Sequence, residues 1–94
     1  MSMITELQPT YSNVRSFYHK ATVRSRVDAD GVVTEELFSY GIPVATYRNG
    51  EAEILDWASN TTGRHIKEFL LQCGLKAQSK QQMLADYPRK DGNA

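Results

Sequence analysis

Apolar and polar positions alternate through the first two thirds of the chain and then switch to a helical period. From Val14 to Val27, Phe17, Ala21, Val23 and Val27 fall on one side, and Tyr18, Lys20, Thr22, Arg24 and Arg26 on the other. This pattern predicts a long strand with two differently used faces. Asp30-Gly31 is a two-residue hairpin signal, since a type I′ turn needs positive φ at both central positions. A turn centred there sets Val27 opposite Thr34, Val23 opposite Phe38, Ala21 opposite Tyr40 and Arg26 opposite Glu35. Asn49-Gly50 repeats the device between Ile42–Arg48 and Glu51–Trp57, pairing Tyr47 with Ala52 and Ala45 with Ile54. Ile42, Val44, Leu55 and Trp57 then share the opposite face. Gly41 and Pro43 are expected to bend the chain between the two hairpins, with Pro43 kept out of central pairing.

Beyond Trp57, Ile66, Phe69, Leu70 and Cys73 recur at i, i+3, i+4 and i+7, one face of a helix. Thr61 or Thr62 is the expected cap, and Gly74 with Leu75 the expected stop. A short second helix is predicted from Ser79, where Ser79 and Gln82 have capping-box spacing and Met83, Leu84 and Tyr87 are the apolar contacts, until Pro88 ends it. The fold class predicted is α+β: a four-stranded antiparallel meander of two hairpins, followed by two C-terminal helices packed on one face. Residues 1–94 read as a single domain, with 1–12 and 89–94 as flexible ends.

Composition narrows the class. The chain has 94 residues, 40% of them hydrophobic, 23% charged and with zero formal net charge, which suits one modest core and not a disordered segment. One cysteine, Cys73, excludes an internal disulfide and favours a reducing, cytoplasmic setting. The start lacks a secretion signal, and no apolar run reaches about 20 residues, so no membrane partner is expected. The charge is unevenly placed. Arg15, Lys20, Arg24 and Arg26 precede an acidic middle containing Asp28, Asp30, Glu35, Glu36, Glu51, Glu53 and Asp56. Arg64, Lys67, Lys76, Lys80, Arg89 and Lys90 then dominate the final third.

Catalytic chemistry finds no support in the residues, and no cofactor or metal is expected. His19 and His65 are far apart, and neither stands at metal spacing with other ligands. His19 shares a face with Phe17 and Ala21, which suggests a half-buried structural histidine. Cys73 lies on an apolar helix face, where a small hydrophobe is expected instead of a thiolate. No Gly-x-Ser-x-Gly elbow or phosphate-binding glycine loop occurs. The richest stretch is Thr61-Thr62-Gly63-Arg64-His65, which sets hydroxyls, first-turn N–H groups and two cation-capable side chains at a helix start, with Lys67 following, as an anion site would. A second candidate is the outer strip of Tyr18, Lys20, Arg24 and Arg26, which mixes an aromatic with cations as nucleic-acid surfaces do. Trp57 and Tyr47 are candidate aromatic anchors. Glu35, Glu36, Glu51 and Glu53, near the hairpin tips, could face a basic partner.

The residues Ser39-Tyr40-Gly41-Ile42-Pro43-Val44-Ala45, Asn49-Gly50, Trp57, Thr61 to Leu70, Gly74-Leu75-Lys76-Ala77 and Ser79-Lys80 together resemble uncharacterised small phage and plasmid proteins. The likeness covers roughly residues 37 to 87 and implies a mobile-element origin, which would place the cytoplasmic setting in a bacterial host cell. By analogy with small phage proteins that occupy host macromolecules, it suggests a non-enzymatic inhibitor of the anti-CRISPR type, bound to a host protein or ribonucleoprotein complex of nuclease defence. The alternatives are a nucleic-acid-binding accessory or regulatory protein, with Lys20, Arg24, Arg26, Arg64 and Lys67 on phosphates, and a structural homo-oligomer built through a sheet edge.

Overall fold

A computed structural model describes residues 2–12, 14–17 and 19–89. It is an α+β fold with one antiparallel sheet in sequential order, β1 (Ser2–Glu6), β2 (Ala21–Val27), β3 (Val33–Ser39), β4 (Ile42–Arg48) and β5 (Glu51–Ile54), then α1 (Asn60–Gln72) and α2 (Lys80–Asp86). The sheet has five strands where four were expected. The additional one is β1, within the segment read as a flexible end, and it pairs along β2 from Ser2↔Arg26 to Glu6↔Thr22. Met3 and Ile4 are both exposed, so this edge strand lacks the buried/polar alternation that marks a strand in sequence. Of the tail 89–94, residues 90–94 lie outside the described residues, as does Tyr18.

The expected strand from Val14 is shorter than its pattern. His19 takes φ 63°, a left-handed backbone that ends extended structure, and β2 begins only at Ala21. The first hairpin is also one residue off. Asp28 Oδ1 accepts from the N–H groups of Asp30 and Val32, the Gly31 N–H donates to the Asp28 carbonyl, and Gly31 has φ 81°. This is a three-residue loop with a glycine bulge, and it pairs Val27 with Val33, Val23 with Leu37 and Ala21 with Ser39. A one-residue slip exchanges the faces of a strand, so Leu37 is buried in place of Phe38. The Asn49-Gly50 hairpin follows its expected register, with φ 55° and 83° at the turn. Tyr40-Gly41 forms a third tight turn with φ 54° and 79°. Pro43 stands opposite Phe38 beside an irregularity that leaves Val44 as an extra residue, so Val44 and Ala45 are both buried.

One core unites Ala21 and Val23 of β2, Leu37 of β3, Ala45 of β4 and Ile54 of β5 with Ile66, Phe69 and Leu70 of α1, as well as Ala77 and Met83 farther on. Leu7 and Phe17 contribute from the segment between β1 and β2. The other sheet face carries Arg24, Arg26 and Glu36 together with Ile4 and Phe38, whose ring lies 5.5 Å from the Arg24 guanidinium. Ser59 caps α1, one turn earlier than Thr62, by accepting the Thr62 N–H at 3.1 Å. Gly74 (φ 81°) ends the helix, with the Gly74 N–H on the Leu71 carbonyl and the Leu75 N–H on the Leu70 carbonyl. Ser79 caps α2 through the Gln82 N–H, while the Gln82 side chain accepts from the Gln78 N–H, one residue short of the expected reciprocal bond.

Candidate functional site

Two stripes on α1 organise the side of the molecule that faces the segment between β1 and β2. Residues three and four apart share a helix face, so His65, Glu68 and Gln72 form one stripe and Arg64, Lys67 and Leu71 the next. The first stripe holds the segment. The Glu68 carboxylate, 2% exposed, accepts the Thr10 N–H at 2.9 Å and the Tyr11 N–H at 2.9 and 3.1 Å. Gln72 Nε2 donates to the Gln8 carbonyl and to Glu68 Oε2, both at 2.6 Å. Farther along, the Tyr40 N–H donates to the Lys20 carbonyl, fixing the segment's end beside the tight turn after β3.

The second stripe is left facing a groove. Its wider part, about 410 Å³, is lined by Tyr11, Ser12, Val14, Arg64, Lys67 and Leu71, with Glu68 on its inner wall. A narrower pocket of about 200 Å³ shares Val14 and Arg64 and adds Ser16, Phe17, Lys20, Tyr40, Thr61 and His65. Tyr11 and Tyr40 are exposed at 61% and 52%, enough to offer ring faces to a ligand. Neither Lys20, Arg64 nor Lys67 is within ion-pair distance of a carboxylate among the described residues. Lys20 lies 5.8 Å from the Tyr40 ring centroid.

The remaining candidates are dispersed. Arg24 Nη2 and Arg26 Nε both reach Glu36 Oε1, at 2.8 and 3.2 Å, so two cations of the outer strip share one carboxylate on their own sheet face. Arg26 meets Glu36 and not Glu35, because the register is shifted by one. Glu35 lies on the α1 side, half-buried, where the Ser25 hydroxyl donates to it. Glu51 is exposed opposite Arg48, and Glu53 is half-buried opposite Thr46. Glu36, Glu51 and Glu53 therefore share the outer face with Arg24 and Arg26, and Glu35 alone lies on the other. Trp57 is half-buried, its ring against Gly63 and 5.4 Å from Lys80 Nζ, which makes it a packing residue at the start of α1. Tyr47 also packs against the core. His19, expected half-buried on a strand, is an exposed turn residue whose Nδ1 lies 2.5 Å from Glu6 Oε2. Burial pushes the Cys73 thiol up to about 12, which removes thiolate character at neutral pH.

His65 differs most from its sequence reading. It is 1% exposed, with Nδ1 2.8 Å from Ser39 Oγ, which in turn lies 3.3 Å from Thr62 Oγ1. Ser39 stands 23 and 26 positions from its partners Thr62 and His65, so no local spacing announces the network. Phe17 meets the imidazole edge to face at 4.7 Å. The Ser39–His65 pair does not form a nucleophile: the serine is 2% exposed and no carboxylate orients the ring. Among the described residues no group of three or more His, Cys, Asp or Glu could hold a metal, and no helix is long and apolar enough to cross a membrane.

Burial, reinforced by the Lys20 charge, holds His65 below its usual 6.5, so the ring is neutral in the native state. The unfolded chain takes up this proton first as pH falls through about 6.5. Native stability is therefore complete above that value and declines as pH drops from 6.5 toward the depressed native value. Denaturant titrations across that window should show this decline in the parent protein and a flatter profile in His65→Asn.

No curated protein and no solved structure matches the chain. A family model described as a family of unknown function (DUF8033) matches residues 5–85, from the end of β1 into the last turn of α2. The match extends well upstream of the stretch that carried the resemblance in the sequence, taking in all of β2 and the segment that walls the groove. With most of its length matched, the chain belongs to this family of unknown function, DUF8033.

Proposed function

We propose that the protein is a non-enzymatic accessory protein of a mobile element that holds the backbone of a single-stranded nucleic acid in the groove along α1. The observation that carries this reading is the unneutralised Arg64–Lys67 pair on one helix stripe, lining a groove with the exposed Tyr11 ring. Cations that track phosphates, next to an aromatic face on which a base can stack, are the two ingredients of sequence-tolerant single-strand binding. Elsewhere on the sheet each of these arginines touches a carboxylate: Arg24 and Arg26 share Glu36, and Arg48 meets Asp28 at 2.7 Å. Glu68, on the same groove wall, accepts from the neutral donors of Thr10, Tyr11 and Gln72 and forms no ion pair with Arg64.

Fluorescence anisotropy with labelled single-stranded and duplex oligonucleotides tests the reading. Single strands should bind better than duplex, and log K should fall with log salt with a slope of about −2, as expected for roughly three phosphate contacts. The double charge reversal Arg64→Glu/Lys67→Glu should weaken binding by about tenfold or more and flatten the slope, since the exposed side chains can be replaced without disturbing the core. Unchanged affinity in that variant, or no binding at low salt, overturns it. Retention of one defence nuclease complex after nuclease digestion, insensitive to the double reversal, would replace it with the protein-inhibitor reading.

A further inference from the structure

We infer that the narrower pocket beside His65 is a subsite for a phosphomonoester, the terminal phosphate of a nucleic-acid strand or of a small phosphorylated ligand. The inference rests in part on the groove reading above, since the pocket continues that groove and shares Arg64 and Val14 with it. It also stands on a separate observation. His65 Nε2 is buried and has no hydrogen-bond partner, in a molecule whose other ring nitrogen is engaged at 2.8 Å. Buried polar atoms without partners are rare and call for an explanation, such as a ligand atom that supplies the bond.

The hydroxyl network indicates what kind of atom is needed. The Ser59 hydroxyl donates to Thr62 Oγ1 at 3.3 Å. Ser39 Oγ lies 3.3 Å from Thr62 Oγ1 and 2.8 Å from His65 Nδ1, contacts in which either partner could donate; if the relay set by Ser59 continues inward, the Thr62 hydroxyl donates to Ser39 Oγ and the Ser39 hydroxyl to His65 Nδ1. Nδ1 is then an acceptor, and in a neutral imidazole the proton must sit on Nε2. The open position is thus a donor and requires an acceptor. Every other polar group the argument uses at this pocket also favours an anion: Lys20 and Arg64 as cations, and the Thr61 hydroxyl in the first turn of a 13-residue helix, where the helix dipole adds positive potential. A phosphomonoester has three terminal oxygens to distribute among these donors, whereas an internal phosphodiester has two. The Tyr40 ring, beside Lys20, forms a wall on which the attached base or ring can lie.

The test compares oligonucleotides with a 5′-phosphate, a 3′-phosphate and neither, together with inorganic phosphate, on the full chain. The phosphorylated strand should bind about tenfold more tightly than its unphosphorylated counterpart, the loss expected from one charge-assisted hydrogen-bond set. Lys20→Gln, at an exposed position that lines only the narrower pocket, should reduce that ratio toward one. Nitrogen NMR of His65 in the parent protein should show the proton on Nε2 and a shift of that signal on adding phosphate. His65→Asn keeps an acceptor toward Ser39 but lacks the Nε2 donor, and a folded His65→Asn protein should lose the ratio as well. Oligonucleotide binding with no preference for a terminal phosphate and no His65 shift overturns the subsite while leaving the groove. A His65 shift with phosphate but no oligonucleotide binding sustains the subsite and overturns the groove. A proton on Nδ1, or an Nε2–H that is insensitive to phosphate and faces the Phe17 ring, overturns the subsite outright.

Discussion

Glu68→Ala is expected to lower the melting temperature by about 10 to 25 °C, the largest effect of any single substitution considered. The carboxylate is 2% exposed and accepts from two backbone N–H groups and one amide, so truncation removes three charge-assisted bonds and leaves their donors to find water. Bonds to a charged group contribute about 1.5 to 3 kcal/mol each, and an exposed loop regains part of that through hydration, which leaves a net loss of about 2 to 4 kcal/mol. For a domain of this size each kcal/mol shifts the midpoint by roughly 4 to 8 °C. Glu68→Gln, which retains one acceptor oxygen, should fall between the two. Differential scanning calorimetry of the three proteins checks the order. Amide exchange at Thr10 and Tyr11 should speed up in Glu68→Ala well before β3 is affected, because the loop is held to α1 mainly by this residue. Equal melting of Glu68→Ala and the parent would mean that Leu7 and Phe17 alone anchor the segment.

Gly63→Ala is expected to destabilise the protein by about 1 to 3 kcal/mol, even though alanine is favoured over glycine in a helix by about 1 kcal/mol. A Cβ at this position would stand 2.4 Å from Trp57 Cζ2 and 2.8 Å from Cε2, both atoms of a rigid indole and not the tip of a flexible chain. The ring must move, taking it off the core and away from Lys80. Trp57 is the sole tryptophan, so its emission reports the displacement directly and should shift to the red in the folded variant. A double-mutant cycle with Trp57→Phe separates clash from propensity: the smaller ring lacks the colliding atoms, and the cost of Gly63→Ala should shrink or reverse sign. An additive cycle would overturn the packing explanation.

These two residues show what the sequence could and could not convey. The Asn49-Gly50 hairpin was legible because its turn type fixes the register without outside help. Asp30-Gly31 looked equivalent, yet Asp28 two residues earlier captures two loop amides and changes a two-residue turn into a three-residue one, which moves Phe38 out of the core and Leu37 in. Neither β1 nor the early end of β2 left a periodic trace, since β1 is exposed on its edge and the interruption at His19 is a backbone conformation and not a polarity change. Within the site, Arg64 and Lys67 could be singled out from composition and helix spacing. The sharing of Glu36 by Arg24 and Arg26 could not, because it depends on the register. The role of Glu68 has no local signal, since its backbone partners are 57 and 58 residues away. Gly63 lacked any signal at all until Trp57 was seen to lie against it.

The two margins of the sheet are not equivalent. At β5, a strand of four residues, the Ile54 N–H is already bonded to the Tyr87 carbonyl at 2.9 Å, so the chain following α2 occupies that margin itself. β1 presents a free margin with Met3 and Ile4 exposed and without the proline, lysine or bulge that commonly guards such a strand. Were copies of this chain to pair through sheet edges, β1 is the margin that the described residues leave for it. A particle with one such border would close after one encounter as a twofold pair, without the second border on which an extended fibre would have to grow.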